Sequence, residues 1–140
     1  MKRPLILIGG GGHCKSVIEV AESVGYEIKG ILDMPDEVGK EVLPGHKVIG
    51  TDDEIPSYVE ECDFVVTVGF IKNPTLRIKL YNKVKTAGGR LATIIASTAY
   101  VSKYAELGEG TVIMHHAFVN AGAKIGDNCI INTFVNIEHD

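Results

Sequence analysis

Seven aliphatic residues recur at an interval of six near the end of the chain: Val101, Leu107, Ile113, Val119, Ile125, Ile131 and Ile137. An α-helix repeats about every 3.6 residues and a half-buried strand every two, so neither accommodates a strict period of six. A hexapeptide repeat does. Each unit supplies one short flat strand and a bend, and three units close one coil of a prism-shaped parallel β-helix. Two residues before each rung stand Ala99, Ala105, Thr111, Ala117, Ala123, Cys129 and Val135, mostly small side chains suited to a cramped bend. Gly108, Asn120, Gly126 and Asn132 directly follow rungs, where tight corners are expected to favour glycine and asparagine.

The first two-thirds of the chain carry other periodicities. Leu5 to Ile8 is a short apolar run that stops at Gly9, as a buried parallel strand would. Cys14 to Val24 has helical spacing of Val17, Ile18, Ala21 and Val24. Ile28 to Leu32, Phe64 to Val68 and Leu91 to Ile95 read as further strands. A second helix is expected after Asn73-Pro74 and a short one from about Ile55 to Glu61, while Met34 to Gly50 reads as a polar connection. Strands alternating with helices argue for a small parallel sheet, so the chain divides into an α/β Rossmann-like domain over residues 1–96 and a β-helix domain over 97–140. A solenoid needs about three stacked repeats and a cap over its open edge. Ala99 to Asp140 holds little more than two coils. The expectation is therefore a β-helix that is only started here, truncated relative to a longer intact protein, or one whose open end another subunit covers.

Composition narrows the functional classes. A formal net charge of −4 offers no basic footprint, which argues against nucleic acid as a partner. No apolar run approaches the roughly 20 residues that cross a bilayer. The apolar start, Leu5 to Ile8, dies in four glycines without the longer core or cleavage site of a signal peptide. The three cysteines, Cys14, Cys62 and Cys129, are scattered and lack metal-type spacing, so reduced thiols in the cytoplasm and no metal are expected.

Two clusters carry chemistry. Gly9-Gly10-Gly11-Gly12-His13 joins the first strand to the first helix, where glycines admit a phosphate to the backbone and the helix N-terminus offers amide donors. Cys14 stands where the dinucleotide fingerprint has its third glycine, which favours a nucleotide or nucleotide sugar over NAD. Asp33, ending the second strand, is placed to accept hydrogen bonds from a ribose or a base. A tight turn with no ligand is the structural alternative. The other cluster is Glu138-His139-Asp140. A histidine with a carboxylate neighbour is suited to general-base work near neutral pH. Residues eighteen apart stack in successive coils, which sets His139 over Ala121 and Glu138 over Asn120; an exposed polar corner is the alternative. His115-His116 lacks companion ligands and reads as a solvated corner, while Cys14 and Cys129 read as packing residues.

With the glycine turn, the ladder and the Ile137-Glu138-His139-Asp140 ending in view, the chain resembles the sugar O-/N-acetyltransferases with hexapeptide repeats. These are typified by the bacillosamine-pathway N-acetyltransferase and the sialic acid O-acetyltransferases. The resemblance implies a nucleotide-sugar-binding Rossmann-like domain followed by a left-handed β-helix that carries catalysis. It implies Gly11, Gly12, His13, Asp33 and Gly69 at the UDP-amino sugar and His139 as the catalytic base beside Asp140. It also implies acetyl-CoA as co-substrate and a homotrimer. Met34 departs from members that have a second acidic residue there. The expected activity is direct acetyl transfer to the amino group of a UDP-linked amino sugar, without a metal. The rivals are a sialic acid-type O-acetyltransferase, an NAD-dependent oxidoreductase built on the Rossmann-like half, and a non-catalytic sugar-binding or assembly module.

Overall fold

A strand that is apolar on both faces belongs in the middle of a sheet. Leu5–Ile8 (β1) takes that place in the computed structural model, which describes residues 2–68 and 74–138. The helix Gly12–Ser23 (α1) follows it, then Ile28–Asp33 (β2), Glu41–Leu43 (β3), His46–Thr51 (β4), Asp63–Val66 (β5) and the helix Thr75–Thr86 (α2). The sheet runs in the order β3-β4-β2-β1-β5, parallel throughout except for the β3-β4 hairpin. Alternate residues of the central strands feed two cores. Leu5, Leu7, Ile31 and Val65 meet Val17, Ile18 and Ala21 of α1, while Ile6, Ile8, Phe64 and Val66 meet Leu80 and Val84 of α2.

Three segments differ from the reading of the sequence. The stretch expected to be a polar connection contains β3 and β4. In β4 only Val48 and Gly50 are buried, and a glycine at one of the two inward positions, with the apolar Ile49 facing outward, masked the strand. The helix expected from Ile55 is a six-residue 3-10 turn over Asp52–Ser57. It is opened by a reciprocal capping box between Thr51 and Glu54 and contains Pro56, which cannot donate a backbone hydrogen bond. The strand expected over Leu91 to Ile95 is split. Leu91 forms a single bridge to Phe64, whereas Ile94–Ile95 (β6) pairs with Val112–Ile113 and is the first rung of the coil.

The coil continues through Tyr100–Val101 (β7), Glu106–Leu107 (β8), Val112–Ile113 (β9), Phe118–Val119 (β10), Lys124–Ile125 (β11), Ile130–Ile131 (β12) and Asn136–Ile137 (β13). These two-residue strands stack as three parallel ladders, β6-β9-β12, β7-β10-β13 and β8-β11. Within them, Ile95, Ile113 and Ile131 line up, as do Val101, Val119 and Ile137. The rung residues and the small residues two before them make a core of their own.

The left-handed corners fall elsewhere than expected. They are the third residue after a rung, at Gly110, His116, Gly122, Asn128 and Phe134, with φ of 75°, 61°, 84°, 55° and 64°. Gly108 instead answers a close approach, since a Cβ there would lie 2.5 Å from the Asp127 backbone nitrogen.

The outer side of one ladder is also apolar. Ile94 and Val112, pointing away from the coil axis, are fully buried in the same core as α1 and the sheet. The coil is thereby docked against the α1 side of the sheet through residues eighteen apart.

Candidate active site

The C-terminal ends of β1, β2 and β5 open toward one cleft, the usual ligand position in a parallel sheet. It has a volume of about 540 Å³ and is lined by the Gly9–His13 turn, Asp33, Thr67, Val68 and Leu76, with Ile130 and Asn132 contributed by the coil. Gly11, Gly12, His13 and Asp33, singled out from the sequence, are thus brought together. Gly69, His139 and Asp140 lie outside the described residues.

The four glycines serve different ends. Gly9 has φ of 115°, and a Cβ on it would come 2.7 Å from the Val68 side chain. Its carbonyl accepts a 2.6 Å hydrogen bond from the buried Thr67 hydroxyl. Gly10 donates its backbone N–H to Asp33 Oδ2 at 3.0 Å, and a Cβ on it would stand 2.9 Å from that oxygen. Asp33 Oδ1 accepts the Met34 backbone N–H at 2.8 Å, so this carboxylate ties the turn to the end of β2.

Gly11 and Gly12 have no such constraint, for nothing lies within 4 Å of a Cβ built on either. Gly11 is the N-cap of α1 without a side-chain cap, and the first turn carries no acidic residue. The fold would gain from Ser or Asp at Gly11 and from Ala at Gly12. Both positions leave bare backbone and an uncompensated positive helix end facing the cleft.

Burial, and then the charge of Arg77, hold the His13 imidazole below its ordinary pKa and favour its neutral form. Its Nε2 is buried without a hydrogen-bond partner among the described residues. Burial pushes the Cys14 thiol up to about 12, which disfavours the nucleophilic thiolate, and the side chain packs in the core beneath α1. Cys129 Sγ donates to the Asp127 carbonyl. His115 shares a 2.8 Å hydrogen bond with Thr98, and His116 stacks on Phe134 at 5.2 Å. No cluster of potential metal ligands occurs among the described residues.

Sequence reasoning missed the coil's contribution, Ile130 and Asn132, and the buried Arg77 beside the cleft. An apolar outward position every eighteen residues, Ile94, Val112 and Ile130, was the signal that could have pointed to the docked face. Arg77 lay inside a helix and gave no signal.

Residues 4–84 match the family model described as the PglD N-terminal domain, and residues 104–139 match the bacterial transferase hexapeptide repeat. The chain belongs to the PglD N-terminal domain family. Among solved structures, this PglD-type chain superposes on PerB from Caulobacter crescentus in complex with CoA and GDP-perosamine. The TM-score is 0.86 and the identity 35%, over 98% of this chain and 63% of that one. It superposes equally on the acetyltransferase domain of PglB from Neisseria gonorrhoeae in complex with acetyl coenzyme A, at TM-score 0.86 and 34% identity, over 100% of this chain and 66% of that one. An uncharacterised protein of Acanthamoeba polyphaga mimivirus is 32% identical over 127 residues, 89% of this chain and 24% of the relative. The chain spans about a quarter of that curated relative and less than two-thirds of PerB. The PglD-type chain is related to sugar N-acetyltransferases that bind CoA, and none of its described helices is long and apolar enough to cross a membrane.

Proposed function

We propose that this chain binds a nucleoside-diphosphate amino sugar, UDP-linked, at the glycine turn and belongs to a protein that acetylates its amino group with acetyl-CoA. One observation carries the binding half: Gly11 and Gly12 sit where the fold itself has no use for glycine, at a helix N-terminus left uncapped and without acid, on the wall of the cleft. A diphosphate there takes amide hydrogen bonds that a Cβ would obstruct. Asp33 sits beside the turn with its oxygens already engaged by backbone, a fixed edge for the ribose or base.

In the acetyl transfer, the sugar nitrogen attacks the thioester carbonyl while His139 takes its proton. The tetrahedral adduct then expels the CoA thiolate, and the imidazolium returns the proton to the sulfur, leaving amide and free CoA. Asp140 orients the imidazole and favours its charged form. The hydrogen bond from Asn120 Nδ2 to Glu138 Oε2, at 3.3 Å, supports the eighteen-residue register on which this reading of the coil relies.

A GDP-linked sugar is the second reading, favoured by the ligand of the Caulobacter relative. Calorimetric titration with UDP and with GDP, each alone and as its amino sugar, separates the two. Gly12→Ala should leave melting temperature unchanged or raise it, by up to about 1 kcal/mol of stability, and weaken nucleotide binding. His139→Ala in the acetylating protein should cost about 10²- to 10⁴-fold in turnover and leave nucleotide-sugar affinity unchanged. Undiminished nucleotide binding in Gly12→Ala would remove the basis of the reading.

A further inference from the structure

Arg77 is the largest fully buried side chain of the molecule's described residues, 1% exposed, and no carboxylate accompanies it. Its Nη1 donates to the carbonyls of Val66, at 3.1 Å, and Val68, at 2.8 Å, where β5 ends at the cleft. Its Nη2 donates to the carbonyl and the side-chain Oδ1 of Asn128, at 2.9 and 2.8 Å. Asn128 returns the bond, Nδ2 donating to the Arg77 carbonyl at 3.2 Å, and its own N–H is held by the Glu109 carbonyl at 2.9 Å. One guanidinium thus joins the end of the sheet to a left-handed corner of the coil. Two and four residues beyond that corner come Ile130 and Asn132, the coil's share of the cleft wall.

Burying a charge with only carbonyls and an amide for company is an expensive way to glue two surfaces, since apolar packing of equal volume holds them at lower cost. What the guanidinium adds is direction: its planar fork accepts only one arrangement of four acceptor atoms. We infer that the Arg77–Asn128 pair is a positioning device that holds Ile130 and Asn132 against the sugar end of a ligand whose diphosphate sits at the glycine turn. The inference rests on the nucleotide-sugar reading above. Arg77 positions and does not react. It sets where the coil stands relative to the turn, and through that the distance from the diphosphate to groups farther along the coil.

The test compares two affinities in the 140-residue chain, using whichever pair the wild type binds, UDP with a UDP-4-amino sugar or GDP with GDP-perosamine. Asn128→Gly keeps the left-handed corner comfortable and removes the two side-chain hydrogen bonds of the pair, from Nη2 to Oδ1 and from Nδ2 to the Arg77 carbonyl. It should leave the affinity for the bare nucleotide within about twofold and weaken that for the nucleotide sugar about tenfold, the scale of one charge-assisted hydrogen bond. Arg77→Lys, which keeps the charge and loses the fork, should do the same. Asn128→Asp, whose carboxylate still accepts from Nη2 and tolerates the corner but cannot donate to the Arg77 carbonyl, should lie closer to the wild-type ratio than Asn128→Gly. Parallel loss of both affinities, or no change in either, overturns the positioning role and leaves an ordinary structural contact. A wild-type chain that gains nothing from the sugar overturns it as well, with nucleotide binding intact. A wild-type chain that binds neither nucleotide defeats the nucleotide-sugar reading itself.

Discussion

The sheet and the coil bury their apolar residues by opposite means. In the sheet, β1 gives all four of its residues to two separate cores, and partners come from distant parts of the chain. In the coil, each two-residue strand gives one residue inward and one outward, and each inward residue meets neighbours six and eighteen positions away. The sheet therefore depends on long-range closure, whereas the coil is a stack whose stability adds up rung by rung. The cleft wall follows the same division. The sheet presents bare backbone at the glycine turn, while the coil presents side chains at corners repeated in register.

The contrast can be broken most forcefully at a rung. Ile113 is fully buried in the coil, and Ile113→Ala should cost about 2–5 kcal/mol by urea denaturation. If the coil is the more local structure, hydrogen exchange in this variant loses protection there first, while β1 and β5 amides stay protected. Equal loss in both regions would show one cooperative unit and end the distinction.

Within the sheet half, two kinds of glycine sharpen the picture. Gly9→Ala meets both a positive φ and the Val68 side chain and should destabilise the chain by about 1–3 kcal/mol. The contrast is with Gly12, where the fold leaves room for a side chain and the proposed nucleotide would not. A Gly9→Ala protein with wild-type melting temperature would contradict the assignment of this residue to the fold.

The smallest effect concerns pH. His13 has a pKa below that of a free imidazole because burial, then Arg77, disfavours its charged form. The unfolded chain then binds more protons than the folded one below the unfolded pKa of about 6.5, so stability is full above that value and declines as pH falls below it. Urea midpoints at about pH 7.5 and about pH 5.5 should differ more in the wild type than in His13→Gln. An identical pH response in the two proteins would detach His13 from the acid sensitivity.

How much of this was legible follows from what each element writes into the chain. The rungs were plain because each must be aliphatic, and β1 because a central strand cannot hide a polar residue. β4 was not, since an outer strand buries only alternate residues, and here one of those is Gly50. The corners were displaced by two residues because glycine after a rung answers close approach at Gly108, while the left-handed position is filled by His116, Asn128 and Phe134 as well as glycine. The glycine turn and Asp33 were readable as neighbours on one cleft, since few folds need four glycines in a row. Arg77 was not, because only the folded chain sets a helix residue against carbonyls from two distant segments.

The docked outer face at Ile94 and Val112 has a consequence for how such chains can change in length. Adding six residues to the coil ahead of β9 keeps every rung aliphatic and inward, and by the ladder alone the sequence would look unharmed. It also advances the prism by one side, turning Val112 from the α1 core toward water and bringing a different side of the coil to the cleft. Adding eighteen restores the match. The interior thus counts in sixes, but the partnership between the two halves counts in eighteens, and an insertion is silent only when it satisfies both.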